Sequence, residues 1–164
     1  MNIKNNKGIT LITLTITIIV LAIIAGITVY SGIDTVKRTN LESMRTNMLL
    51  IQAKAKEYVE EANFKIGQNS DVTEKSKIVT DIFSSIGCKS PYPDIPTING
   101  NDTRGYWLVT ETTFEKMGLT KIYDDLQDGE NYLLKVDVDK ITVEVYNTLG
   151  YQGNYSLTEL EELQ

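Results

Sequence analysis

The chain has 164 residues, a formal charge of −6, no histidine and one cysteine. Its acidic balance, with a sequence pI of about 4.7, argues against a surface that tracks nucleic-acid phosphates. The lack of histidine removes imidazole triads, the commonest general base and every His-containing zinc site, and Cys88 alone cannot close an intramolecular disulfide.

From Ile9 to Tyr30, 22 residues pass without a charge. As a helix at about 1.5 Å per residue they reach ~33 Å, enough to cross a hydrocarbon layer. Lys4 and Lys7 precede the run and hold that end in the cytoplasm by the positive-inside rule. The body of the chain is then expected outside, standing on its core without a disulfide. The run is longer than the apolar core of an ordinary signal peptide, and Ala22-Ile23-Ile24-Ala25-Gly26 is a poor cleavage match inside it. Thr10, Thr13, Thr15, Thr17 and Thr28 can each bond back to a carbonyl one turn earlier. Small hydroxyl residues also let helices approach closely, although a merely tolerated composition accounts for them as well.

Lys7-Gly8-Ile9-Thr10-Leu11-Ile12 followed by this apolar segment resembles the class III signal of type IV pilins and type II secretion pseudopilins, in the form seen in Gram-positive, clostridia-type bacteria. The resemblance implies cleavage after Gly8 by a membrane-bound prepilin peptidase, and N-methylation of the new first residue, Ile9. Lys7, Gly8 and Ile9 are thus the expected processing residues. A glycine at the cut allows the extended backbone that a peptidase needs. The family carries a glutamate five residues into the mature chain, where it pairs with the terminal amine of a neighbouring subunit; here that position is Thr13. The departure points to a minor subunit. No proline precedes Pro91, so Gly26 and Gly32 are the weak points of the helix.

Beyond Ser31-Gly32 the sequence turns charged while helical periodicity continues. Leu41, Met44, Met48, Ile51, Ala55, Tyr58 and Ala62 alternate at spacings of three and four, a single stripe expected to pack on the C-terminal part. A coiled-coil seam is the other reading. A helix over about 9–62 would span ~80 Å. Gly67-Gln68-Asn69-Ser70 breaks it. Asp71-Val72-Thr73-Glu74 has a capping-box arrangement, and Val72, Val79, Ile82, Phe83 and Ile86 predict a second helix ending at Gly87. The prolines at 91, 93 and 96, followed by Asn99-Gly100-Asn101-Asp102, predict a surface loop.

Tyr106-Trp107-Leu108-Val109 is a strand candidate. Thr112-Thr113-Phe114-Glu115 reads as another capping box, with Lys116 to Leu119 as one helical turn. Tyr132, Leu134 and Val136 alternate with Leu133, Lys135 and Asp137, as Ile141, Val143 and Val145 do with Thr142, Glu144 and Tyr146. Two strands with a turn at Asp139-Lys140 follow. Residues 150–155 suggest an edge strand, and 159–164 an acidic tail. The stretch from Tyr132 to Gly150 is similar to the terminal hairpin of clostridial pilin-like proteins, while 63–105 resembles nothing recognisable.

Several residues invite chemistry. Asp124, Asp125, Asp128 and Glu130 around Gly129 suit calcium by ligand type but lack EF-hand spacing, and a solvated acidic turn explains them as well. Asp137 and Asp139 are read the same way. Cys88 is read as a buried small hydrophobe or a reactive thiol. Trp107 is read as a core residue or, with Tyr92 or Tyr106, as a platform for a sugar or base. No nucleotide loop, paired-carboxylate arrangement or metal-ligand spacing stands out, so no catalytic, cofactor or metal site is expected.

The expected fold is therefore α+β. A long N-terminal helix, with a transmembrane half and an amphipathic half, packs on a small C-terminal antiparallel β-sheet in the pilin-like manner. Its segments are a leader (1–8), a transmembrane and assembly half (9–30), an amphipathic half (31–62), a helix-loop connector (63–105) and a sheet head (106–164). Expected partners are the prepilin peptidase, other pilin subunits in a homo- or hetero-filament, and membrane lipid, with no nucleic acid. The chain is expected to cross the cell membrane once and then to enter a surface filament or pseudopilus. The alternative is an extracytoplasmic binding protein that keeps its anchor. An extracytoplasmic enzyme, limited to carboxylate chemistry, is the weakest reading.

Overall fold

The computed structural model describes residues 7–67 and 71–163. The chain divides into two units, Met1–Asn40 and Leu41–Gln164. Helix α1 covers Lys7–Ile66 and so contributes to both. The leader residues 1–6 lie outside the described residues. Within α1 the side chains of Lys7, Gly8, Ile9 and Thr13 do so as well. Among the described residues, no helix is long and apolar enough to cross a membrane.

The second unit is an α+β fold around one main core. From α1 it takes Leu41, Met48, Ile51, Ala55, Val59 and Ala62. Met44 and Tyr58, expected on the same stripe, are only partly buried, and Val59 takes an inward position instead. The reason is geometric: a stripe at 3.6 residues per turn drifts around the axis, so one strict alternation cannot stay inward over six turns. Helix α2, Val72–Ser85, buries Ile82 and Phe83. The expected N-cap is in place: the Asp71 carboxylate accepts from the Thr73 amide. Val72, expected on the packed face, is 78% exposed.

The proline region is more structured than a loop. Pro91 is buried, and strands β1 (Thr97–Ile98) and β2 (Asn101–Asp102) pair as a small hairpin. Thr103, fully buried, donates its hydroxyl to the Ile95 carbonyl and pins the hairpin's base. Strand β3, Tyr106–Leu108, begins the principal sheet. Helix α3 then covers Glu111–Met117, capped by Thr110 in a reciprocal box with Thr113. The cap is two residues earlier than expected, because Thr110 is the last residue with extended backbone. Helix α4, Thr120–Asp124, was not anticipated.

Strands β4 (Tyr132–Asp137), β5 (Thr142–Tyr151) and β6 (Asn154–Ser156) complete a four-stranded antiparallel sheet of order β3-β4-β5-β6. Val136 faces Val143 and Leu134 faces Val145. The connecting turn takes in Ile141, expected in a strand but held at φ +53°. There the Asp137 carboxylate accepts the Lys140 amide and closes the turn before the strand begins. Gly150 sits at φ +60° in the irregular stretch of β5. A Cβ there would come within 2.6 Å of the Asn154 carbonyl oxygen, so the return into β6 depends on glycine.

The expected acidic tail is a correction. Residues Leu157–Glu161 form helix α5, boxed by Ser156 and Glu159, with Leu157 and Leu160 buried. Ser156-Leu157-Thr158-Glu159 is itself a capping-box sequence, and its leucines supply the apolar face. Alternation divides the sheet into two faces. Leu134, Val143 and Val145 meet the helices in the main core, whereas Leu133, Tyr106 and Ile98 form a second, smaller cluster.

Candidate functional site

The first candidate is the N-terminal unit. Leu14, Ile18, Ile19 and Leu21 are between 54% and 65% exposed. At about 100° per residue these four positions spread over an arc of roughly 160°, wider than a one-sided apolar stripe. The Thr17 hydroxyl donates to the Leu14 carbonyl at 2.8 Å, as expected for a threonine hiding its polar group in an apolar helix. Gly8 and Ile9 have helical backbone, not the extended form that a peptidase takes. Glycine makes unwinding that turn easier by about 1 kcal/mol relative to alanine.

The acidic residues do not converge. Asp124, Asp125 and Asp128 are exposed, and Asp125 pairs with Lys121 at 3.3 Å. Glu130 serves the fold: its carboxylate accepts from Tyr132 Oη at 3.1 Å, Asn147 Nδ2 at 2.6 Å and the Gln127 amide at 3.0 Å. Burial and then the Glu130 charge push the Tyr132 hydroxyl up to about 12, so it remains a donor. Among the described residues no group of acids or cysteine could hold a metal ion. Asp139 bonds Lys75 at 2.7 Å, joining the β4–β5 turn to α2.

Cys88 is buried, and burial raises its thiol to about 11 despite the Thr113 hydroxyl 3.7 Å away. At that value almost no thiolate exists near neutrality, so it packs as a small hydrophobe. Trp107 stacks on Phe83, ring centroids 5.5 Å apart at 25°, and so belongs with the core that α2 covers. Tyr92 is 41% exposed and carries the Arg104 guanidinium over its ring; it does not join Trp107. A groove of about 560 Å³ runs between α2 and the β4–β5 turn past Val72, Val79, Val136 and Val138. A neighbouring one of about 410 Å³ reaches Trp107. The larger is also lined by Lys75, Ser76, Asp137, Asp139 and Glu144.

Two connections escaped the sequence reading. Arg45 on α1 donates from Nε to the Leu160 carbonyl at 2.8 Å and from Nη2 to the Leu160 and Leu163 carbonyls. It thus closes the C-terminal end of α5. Asn99, at the tip of the β1–β2 hairpin, donates to Glu159 at 3.4 Å. No short-range pattern signals either contact, since the partners are 60 or more residues apart. No protein family, curated protein or solved structure matches the chain.

Proposed function

We propose that the chain is a non-catalytic pilin-like or pseudopilin subunit, of the minor kind, processed after Gly8. It crosses the membrane once through 9–30, then assembles through that same helix into a surface filament or pseudopilus. The observation that carries this reading is the apolar surface of Leu14, Ile18, Ile19 and Leu21. Leaving such side chains in water forgoes about 1.5–3 kcal/mol each. Lipid covers an apolar helix on all sides, and so does a bundle of like helices. The concealed Thr17 hydroxyl suits both surroundings. Lys4 and Lys7 before the run support the inside-out orientation, and the Lys7-Gly8-Ile9 resemblance supports the cut. An antiparallel sheet packed on the far half of the same helix is the head that such a subunit needs.

Mass analysis of the native protein's N-terminus, from membrane and sheared-surface fractions, tests this. A chain beginning at methylated Ile9 is expected, and loss of Lys4 and Lys7 takes the formal side-chain charge from −6 to −8. A Met1 start in cells that possess the peptidase, or a chain lacking 9–30 altogether, overturns it. Thr13 in place of a glutamate keeps a second reading, a binding protein that stays anchored. Uncleaved protein found only in the membrane fraction after shearing would favour it.

A further inference from the structure

Asn99-Gly100 is the one Asn-Gly pair in the chain. It forms the two-residue tip of the β1–β2 hairpin, Asn99 at φ +49° and Gly100 at φ +73°, the left-handed pair that such tight turns require. Asn99 is exposed, and a Cβ added at Gly100 would meet nothing within 4 Å. No side chain stands on Gly100, and the space beside its Cα is open. The Asn99 side-chain amide donates from Nδ2 to Glu159 Oε1, at 3.4 Å. Glu159 is in turn committed to the β6–α5 corner, where its other oxygen accepts the Tyr155 and Ser156 amides at 2.9 and 3.0 Å.

We propose that Asn99 is a site of spontaneous deamidation, and that its conversion releases the β1–β2 hairpin from the β6–α5 corner. The Gly100 backbone nitrogen attacks Asn99 Cγ, a five-membered succinimide closes and ammonia leaves. Water then opens the ring to aspartate or isoaspartate, with no other reactant. The product puts a carboxylate where a donor stood, facing Glu159. A hydrogen bond becomes a like-charge contact, and the chain gains one negative charge. Glu159 keeps its two backbone donors, so the hairpin rather than α5 is the element that loosens. The inference is independent of how the N-terminal helix is used.

The test incubates the full-length chain in detergent at mildly alkaline pH and maps its peptides over time. Asn99 is expected to show the amide-to-acid mass change, with isoaspartate, ahead of the exposed Asn101 next to it. The Asn99→Gln variant, whose ring closure is slower, should remain unmodified there. Conversion of Asn101 first, or an equal rate at the two sites, overturns the site. For the consequence, Asn99→Asp should speed amide exchange across 97–102 several-fold while 157–161 is unchanged. Unchanged exchange at 97–102 overturns the release.

Discussion

Helix α1 holds two surfaces of opposite logic. At Leu14, Ile18, Ile19 and Leu21 the apolar side chains spread around the axis and remain exposed. From Leu41 onward one face is buried, at Met48, Ile51, Ala55, Val59 and Ala62 completely so, while Leu49, Leu50 and Phe64 stay exposed off it. Outside that stripe stand charged pairs such as Lys54–Glu57 at 2.9 Å and Lys65–Glu61 at 2.6 Å. One helix is thus patterned for two solvents. The second surface is satisfied within its own unit by α2, the sheet and α5, whereas the described apolar side chains of the first remain exposed.

The largest effect expected from breaking that contrast lies in the core. Phe83→Ala removes a fully buried ring that stacks on Trp107 and should cost about 3–5 kcal/mol in urea unfolding followed by Trp107 fluorescence. Ile18→Ala, a truncation in the first unit, should leave that transition unchanged and instead lower recovery in the sheared-surface fraction. A comparable loss of head stability from Ile18→Ala would erase the distinction.

Arg45→Ala comes next. It removes the donors that close α5 and leaves the Leu160 and Leu163 carbonyls without them, which should cost about 1–3 kcal/mol. Hydrogen exchange should rise across 157–163 before it rises elsewhere. Asp71→Ala deletes the α2 cap and should lower stability by about 1 kcal/mol, read as a shift in urea midpoint at constant slope.

The smallest effect is in pH. The backbone amides of Ser156 and then Tyr155 hold the Glu159 carboxyl below its ordinary value of 4.5. A lowered folded-state value means stability is fully present above that ordinary value and is lost as pH falls through the folded one. Glu159→Gln should therefore flatten the acid limb of the stability curve below about pH 4.5, a modest change because the side chain is largely solvated. An unaltered acid limb in that variant would remove Glu159 from the account.

Much of the fold was legible because local signals and burial agree. The stripe from Leu41 to Ala62 and the alternation through Tyr132–Asp137 lie where a 3.6 and a 2.0 period put them. Cap positions were less legible: the box expected at Thr112 forms at Thr110, and only the backbone there decides which hydroxyl meets the free amides. The acidic tail expected over 159–164 was misread because its acids are evident, whereas the burial of Leu157 and Leu160 is not. Their burial depends on the packing of α5 against β5 and β6 and on the main core they join.

What the sequence determined by itself is the pattern along α1, an uncharged run followed by an amphipathic one, since both are read directly from residue order. Histidine's absence likewise settled which chemistry was out of reach. Tertiary structure alone decided which polar groups meet: Arg45 with the end of α5, Glu130 with Tyr132 and Asn147, Asn99 with Glu159. Hydrogen bonds reach about 3 Å, and no spacing rule carries that precision between residues that only the packed core brings together.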